Sequence, residues 1–190
     1  VQQPIKTKLE LGKDVPVVNG KLPNNIQFGF EQKDLSYFAK YDLMENLPKE
    51  FQEASHKFEN VLKDYNYTGF YSDEIRVGED DKYYYMDLTS RQGYPCSATY
   101  FYMCDNWGEV ITKGLDGVQV ELKNKWKYGV ELIVHTEILD RYNPIFFDEK
   151  YEDNIFLGAC AKGKDGIIYR LPNNQLYDPT NKLCSVVNGA

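Results

Sequence analysis

The sequence predicts an α+β fold in which a mainly antiparallel sheet packs against helices. Short runs of alternating apolar and polar residues, bounded by Gly, Asp or Asn, recur along the chain, and one stretch changes to helical spacing. Tyrosine, which favours strands, occurs 16 times in 190 residues. A chain of this length without repeats or low-complexity linkers is expected to form one domain, residues 1–190.

The amino-terminal part contains three short predicted strands and one helix. The first strand covers residues 4–11 and is expected to break at Gly12–Asp14, and the others cover 15–20 and 26–31. Pro48 suits the first position of the helix. The apolar stripe of this helix, between residues 47 and 64, consists of Phe51, Ala54, Phe58, Val61 and Leu62.

Residues 69–95 predict a β-hairpin with charged side chains on one face. With a turn centred on residues 80–81, the expected pairs are Arg76 with Tyr85, Glu74 with Asp87 and Ser72 with Thr89. Because side chains alternate along a strand, these residues and Arg91 should share one face. The other face, which should face the core, would carry Tyr71, Ile75, Val77, Tyr84, Met86 and Leu88.

The remaining elements follow in order after the hairpin. One or two helices are expected over residues 97–103 and 106–113, with strands over 118–122 and 128–138. A second hairpin turns at Lys164–Gly166, between residues 156–161 and 167–171, and a last strand covers 183–187.

The opposed carboxylates of Glu74 and Asp87 are unusual in a sheet, because directly facing like charges repel one another. A hard cation between them would remove the repulsion, and Mg²⁺ accepts one or two carboxylates together with phosphate oxygens and waters. In the alternative interpretation, Arg76 and Arg91 neutralise the two carboxylates in an exposed ion network.

The hairpin resembles a known family through the spacing of its polar residues. The residues that carry the resemblance are Gly69, Ser72, Glu74, Asp87, Thr89, Arg91, Gly93 and Pro95. They resemble the magnesium-binding end of ATP-grasp ligases, most closely the glycinamide ribonucleotide synthetase and carboxylate-amine ligase branches and ATP-grasp proteins carried by bacteriophages. The resemblance covers roughly residues 5–120 and implies the fold of an ATP-grasp C-terminal subdomain.

The resemblance also implies roles for individual residues. Glu74 matches the first metal-binding acid, Asp87 the second, and Arg91 the arginine that contacts the transferring phosphate. Thr89 stands where asparagine is usual and is the third implied metal ligand. The implied reaction uses ATP and Mg²⁺ to convert a substrate carboxylate to an acyl phosphate, which an amine then displaces; Ser72 would assist a water or a ligand.

Two further candidates lie outside the hairpin. Glu10, with Gly12 and Asp14, resembles the E-x-G-x-E/D pattern of ATP-grasp proteins, and we expect Glu10 to contact the nucleotide; spacing alone favours an edge strand that ends in a turn. Lys33, beside Asp34, is a candidate for holding a phosphate or a substrate carboxylate, although such charge pairs are ordinary on surfaces.

The resemblance implies that the chain is a fragment of a longer protein. The sequence starts at Val1, and the adenine- and phosphate-binding lysines of ATP-grasp enzymes would lie in an upstream region of the same protein. We therefore expect no ligase activity from this chain alone. Small-molecule carboxylates and amines are the implied substrates.

Composition excludes several other classes. A net charge of −7 argues against a general nucleic-acid or anionic-membrane surface. Four scattered cysteines without C-x-x-C spacing disfavour zinc and favour a reducing cytoplasm. The sequence has no evident signal peptide or bilayer-spanning apolar run. Two alternatives remain: a glycoside hydrolase with Glu74 and Asp87 as its acid pair, and a Tyr-rich binding or assembly module, viral in origin.

Overall fold

The computed structural model describes residues 4–32, 35–93, 97–133, 141–158, 160–172 and 187–189. Within these ranges, no helix is both long and apolar enough to cross a membrane. The architecture is an antiparallel sheet with packed helices, which confirms the predicted α+β class.

The described residues form two sheets and three helices. The main sheet contains β1 (Thr7–Val17), β2 (Asn25–Gln32), β3 (Ser36–Leu43), β4 (Gly69–Gly78), β5 (Tyr83–Thr89), β6 (Tyr128–Leu132), β8 (Ile155–Phe156) and β11 (Val187–Gly189), in the spatial order β5-β4-β1-β2-β3-β6-β11-β8. A smaller sheet contains β7 (Asn143–Ile145), β9 (Cys160–Lys162) and β10 (Ile168–Arg170), in the order β7-β10-β9. The helices are α1 (Lys49–Asp64), α2 (Ser97–Met103) and α3 (Trp107–Leu115), and short 3₁₀ turns cover Met44–Asn46 and Glu149–Asn154.

Strand β1 lies inside the sheet, so the predicted break at Gly12–Asp14 and the edge-strand alternative are both wrong. Gly12 pairs with Gly29 of β2 and with Glu74 of β4. Hydrogen bonds to neighbours on both sides outweigh the conformational cost of a glycine in mid-strand. The strand therefore runs on to Val17 and ends at a tight turn, in which Asn19 and Gly20 both have positive φ.

Helix α1 covers one face of the sheet, which we call the helix face. Its stripe is only partly confirmed, because Phe51 is fully buried whereas Val61 is exposed. The helix begins at Lys49, with Pro48 one position earlier than predicted, as the N-cap. The buried residues of this core are Leu11, Val15, Val17, Ile26, Leu47, Phe51, Tyr71, Ile75 and Val77.

The opposite face of the sheet, which we call the cleft face, is covered by α2 over β3, β6 and β11. Tyr37 and Ala39 of β3 pack there against Tyr100 and Met103 of α2. At Gly129 of β6 an added Cβ would lie 2.6 Å from the Thr99 methyl carbon, so the glycine permits this close approach. Beside this helix, β1, β4 and β5 border an open cleft that includes Gly12, Glu74 and Asp87.

The outcome for the other predicted elements is mixed. The two helices and the hairpin that turns at Gly166 are confirmed. Residues 118–122 form no strand; their polar groups bind elsewhere, with the Glu121 carboxylate accepting hydrogen bonds from the amides of Asn24 and Asn25. β6 occupies the first part of predicted strand 128–138. Of the predicted last strand, only Val187 lies within the described residues, in β11.

Candidate functional site

The hairpin of β4 and β5 has the predicted register at its open end. Glu74 lies opposite Asp87 and Ser72 lies opposite Thr89, as the sequence predicted. The predicted pairing of Arg76 with Tyr85 is wrong, because Met86 is an extra residue in a β-bulge and Tyr85 pairs with Ile75 instead.

The bulge exchanges the faces of two tyrosines. Tyr85, predicted on the polar face, lies on the helix face with its ring 5.0 Å from that of Phe58. Tyr84, predicted on the core face, lies opposite Arg76 and donates a hydrogen bond to Asp80. One extra residue reverses the side-chain alternation, so the error is confined to the turn side of the bulge.

The open end of the hairpin forms one wall of a cleft. The residues that line this cleft are Gly12, Lys13, Glu31, Tyr37, Ser72, Asp73, Glu74, Asp87, Thr89, Arg91 and Gly93. Four of the predicted site residues, Glu74, Asp87, Thr89 and Arg91, are therefore brought together. A row of small residues, Gly129, Ala39, Gly29 and Gly12, crosses four strands and ends at Glu74 and Asp87.

Arg76 neutralises one of the two facing carboxylates. Its Nε donates to Glu74 Oε1 at 2.9 Å, and its Nη2 lies 3.2 Å from Glu10 Oε1. The hydrogen bond to Glu74, with Glu10 and Glu31 nearby, raises the pKa of Arg76 above its ordinary value. This half of the alternative ion network is present.

The other half of that network is absent among the described residues. Asp87 Oδ1 accepts a hydrogen bond from the amide of Leu88, and no described cation lies within ion-pair distance of its carboxylate. Arg91 is exposed and donates to the carbonyl of Gln92 at 2.8 Å. Arg76 therefore neutralises Glu74, but Arg91 does not neutralise Asp87. The Asp87 carboxylate is thus available to a ligand.

The residues of the cleft fit a magnesium ion better than a metal that requires a full protein ligand set. In the part of the chain that the structure describes, no three His, Cys, Asp or Glu side chains cluster closely enough to hold a metal. Two carboxylates and the Thr89 hydroxyl offer the small number of oxygen ligands that Mg²⁺ uses when phosphates and waters supply the rest.

Gly12 and Asp14 shape the cleft from β1. The buried Asp14 carboxylate accepts a hydrogen bond from the amide of Gly93 at 3.0 Å, which ties the segment after β5 to the sheet. A Cβ on Gly12 would meet only the Asp73 carbonyl oxygen at 3.6 Å and the Tyr37 hydroxyl at 3.9 Å. Glycine therefore leaves the floor of the cleft open without being required by packing.

Of the other two predicted site residues, Glu10 does not line the cleft and Lys33 cannot be compared with it. Glu10 lies on the cleft face but binds Arg76, and its predicted nucleotide contact stays a prediction. Lys33 lies outside the described residues, as does Asp34. Sequence reasoning missed Glu31 and Tyr37, although the alternation of Glu31 with Phe28 and Phe30 in β2 was a usable signal.

A buried ion pair, also missed from the sequence, lies behind the cleft. Lys13 and Asp73 are opposite each other on β1 and β4, and both side chains are fully buried on the helix face. Tyr71 donates to Asp73 at 3.0 Å, and the Lys13 ammonium lies over the rings of Tyr71 and Phe51. Burial lowers the pKa of Lys13, although Asp73 opposes this effect.

Solved structures of three enzymes share the fold over nearly the whole chain. They are an L-amino acid ligase from Bacillus licheniformis (13% identity, TM-score 0.56), an N5-carboxyaminoimidazole ribonucleotide synthetase from Thermotoga maritima (10%, 0.58) and a biotin carboxylase from Campylobacter jejuni in complex with β,γ-ATP (13%, 0.58). The alignments cover 98%, 100% and 100% of this chain but only 47%, 49% and 43% of those chains. The chain thus spans about half their length.

No protein-family model and no curated protein matches the sequence. The similarity to the solved structures, at 10–13% identity, shows the fold alone. The fold is ATP-grasp-like, in agreement with the resemblance of the hairpin.

Proposed function

We propose that this chain is the magnesium-binding, C-terminal part of an ATP-dependent carboxylate-amine ligase, or a related ligase, that acts through an acyl phosphate. The observation that carries the proposal is the register that places Glu74 opposite Asp87 in a cleft shared with Arg91. The ATP-grasp-like fold supports it, as does the β,γ-ATP complex of one structural neighbour, the biotin carboxylase. The complete enzyme would include an upstream region, since the chain spans about half the length of those neighbours.

Glu74, Asp87 and Thr89 are the residues that would hold magnesium. Mg²⁺, when bound, would supply charge neutralisation to the phosphates of ATP. Glu74 offers Oε2, since Oε1 accepts from Arg76, and Asp87 offers Oδ2, since Oδ1 accepts from Leu88. The Thr89 hydroxyl, opposite Ser72, is the weakest of the three because a neutral oxygen attracts a cation less than a carboxylate does.

Arg91 would stabilise the transferring phosphoryl group. A guanidinium donates two parallel hydrogen bonds to phosphate oxygens, which an ammonium cannot do. Its exposed side chain lines the cleft and makes no ion pair among the described residues. Such positioning and charge stabilisation are the main work of an enzyme in phosphoryl transfer. The glycinamide ribonucleotide synthetase branch, the phage origin and the cytoplasmic location remain predictions.

The metal assignment is tested by binding of Mn²⁺, a carboxylate-seeking probe for Mg²⁺ sites, to the full-length protein in the presence of ADP. Electron paramagnetic resonance of free Mn²⁺ should show ADP-dependent binding that Glu74→Gln weakens at least about tenfold. Asp64→Asn is the matched control, because Asp64 is exposed at the end of α1. Equal Mn²⁺ affinity in Glu74→Gln and wild type would contradict the assignment.

The phosphate role of Arg91 is tested by Arg91→Lys in the full-length protein. We expect nucleotide affinity close to wild type and ATP turnover reduced at least about tenfold, a loss of about 1.4 kcal/mol in the transition state. Arg141→Lys, at an exposed arginine that does not line the cleft, should leave turnover unchanged. Unchanged turnover in Arg91→Lys would assign the arginine a structural role.

A further inference from the structure

Arg76 does not line the cleft, yet it contacts one of its carboxylates directly. We propose that Arg76 is a positioning residue, which fixes the carboxylate of Glu74 so that its second oxygen faces the cleft, and that Glu10 anchors Arg76 from the other side. This inference rests on the proposed metal-binding function of Glu74.

The geometry of the three side chains supports this role. Arg76 and Glu74 are two residues apart on β4 and share its cleft face, and Glu10 is directly opposite Arg76 on β1. Nε donates to Glu74 at 2.9 Å, while Nη2 lies 3.2 Å from Glu10, so different nitrogens of one planar group bind the two carboxylates. A guanidinium held at both ends loses rotational freedom, and so does the Glu74 carboxylate that accepts from it.

Partial burial makes these contacts more than a surface ion pair. The side chains of Arg76, Glu74 and Glu10 are 27%, 34% and 17% exposed. The Lys8–Asp81 pair on the adjoining surface is 60% and 75% exposed by the same measure. Interactions among the first three side chains are therefore less screened by water, and their geometry is better defined.

The two facing carboxylates are thereby oriented by different means. Glu74 is held by a cation, whereas Asp87 is held by the backbone amide of its neighbour Leu88. In each carboxylate one oxygen accepts a hydrogen bond and the other has none to a described residue. Two side chains that each present one oxygen to the same cleft form a pre-organised pair, which reduces the entropy lost when a cation binds.

Positive charge and fork geometry are two separable properties of Arg76. Glu31 lies opposite Glu10 on β2, so Arg76 also reduces repulsion within an acidic row. The ammonium of a lysine would still supply that positive charge. It has only one nitrogen, however, so it cannot bind Glu74 and Glu10 through two different nitrogens of a rigid planar group. Substitution by lysine therefore removes the positioning and keeps the charge.

The test compares Mn²⁺ affinity, measured with ADP present, for Arg76→Lys and wild type in the full-length protein. We expect Arg76→Lys to weaken Mn²⁺ binding about tenfold, with ADP affinity in the absence of metal unchanged, and Glu10→Gln to weaken Mn²⁺ binding about threefold. A merely structural arginine would not change metal affinity selectively. In a Glu74→Ala background, Arg76→Lys should have no further effect, because the arginine acts through Glu74.

The outcomes separate this inference from the proposed function. If wild type binds Mn²⁺ with ADP, Glu74→Gln weakens binding and Arg76→Lys does not, only the positioning role is overturned. If Arg76→Lys weakens binding equally with and without Glu74, the arginine acts by another route and the inference is also overturned. If wild type shows no ADP-dependent Mn²⁺ binding, the proposed function fails, and the role of Arg76 falls with it.

Discussion

Strands β1 and β4 carry ion pairs on both of their faces, in opposite environments. On the helix face, Lys13 and Asp73 are fully buried beneath α1. On the cleft face, Arg76 binds Glu74 and Glu10 while remaining partly exposed to water. The two clusters are built from the same pair of strands, so the difference between them shows what burial does to an ion pair.

The buried pair is structurally demanding, because removal of two charges from water is unfavourable unless both are fully paired. Asp73 accepts from Lys13 and Tyr71 through Oδ2, but its Oδ1 is buried and has no hydrogen-bond partner among the described residues. The cluster of Arg76, Glu74 and Glu10 lacks this constraint, since water can solvate those of its polar atoms that have no protein partner. The charges of Arg76, Glu74 and Glu10 can therefore serve a ligand, whereas those of Lys13 and Asp73 are tied to folding.

The largest expected change in the free energy of unfolding follows from removal of one partner of the buried Lys13–Asp73 pair. Asp73→Ala should destabilise the fold by about 3–5 kcal/mol, because it leaves the Lys13 ammonium buried without a counter-charge. The double substitution Lys13→Met, Asp73→Leu should recover most of that loss, since similar apolar volume replaces both charges. Urea denaturation measures both values. The matched change on the cleft face, Glu10→Gln, should cost less than about 1 kcal/mol.

A result that reverses this order would contradict the comparison. If Asp73→Ala and Glu10→Gln destabilise equally, burial does not distinguish the two clusters. If the double substitution is as unstable as Asp73→Ala, the Lys13–Asp73 pair contributes specific packing that apolar residues cannot replace.

The next effect concerns two glycines that face each other on β1 and β2. A Cβ at Gly29 would lie 1.7 Å from the Phe38 carbonyl oxygen, whereas a Cβ at Gly12 would meet only ordinary contacts in the open cleft. Gly29→Ala should therefore destabilise by about 2 kcal/mol or more through overpacking. Gly12→Ala should lie within about 0.5 kcal/mol of wild type or be more stable. Thermal unfolding of both variants would show whether Gly12 serves the cleft or the fold.

The sequence predicted the central pair of the site because the spacing was informative. Glu74 and Asp87 are symmetrical about the turn at residues 80–81, and the hairpin keeps that register where they lie. The bulge at Met86 could not be predicted, because no glycine or proline marks it. At Gly12 the local sequence predicts the end of a strand. The strand β1 nevertheless continues there, because it pairs with β2 on one side and β4 on the other.

The side-chain partners were harder to predict than the strands. In the alternative interpretation Arg76 neutralises the carboxylates, and its contact with Glu74 follows from their shared face. The contact with Glu10 depends on which strand adjoins β4, and the sequence gives no local signal for that. Lys13 and Asp73 were missed for the same reason: each lies at an apolar position of its own strand, and only the β1–β4 register brings them together.

A smaller effect on the free energy of unfolding is expected from Asp42, whose carboxylate is partly buried. Partial burial opposes its ionisation, but hydrogen bonds from Lys40, Asn46 and the amide of Leu43 outweigh it and lower the pKa of Asp42 to about 2. The unfolded chain therefore binds the proton more tightly. Stability from this group should be fully present above about pH 5 and lost as the pH falls towards 2, by about 1 kcal/mol after allowance for screening.

Denaturation of wild type and Asp42→Asn between pH 6 and pH 2 measures this contribution as the difference between the two proteins. The difference should narrow as the pH falls, because protonated Asp42 resembles the amide. A constant difference across this range would mean that Asp42 does not titrate there.

The central claim is that Glu74 and Asp87 face each other for a cation and not for stability. The most direct test is thermal unfolding of the full-length protein and of its Asp87→Asn variant, first in EDTA, then with ADP alone and then with Mg²⁺ and ADP. In EDTA, Asp87→Asn should melt at the wild-type temperature or above it, because the substitution removes a repulsion from Glu74. Relative to ADP alone, Mg²⁺ with ADP should raise the Tm of wild type further but not that of the variant, since a ligand stabilises only a state that it binds. A large loss of stability for Asp87→Asn in EDTA, or an equal rise of Tm in both proteins, would contradict the claim.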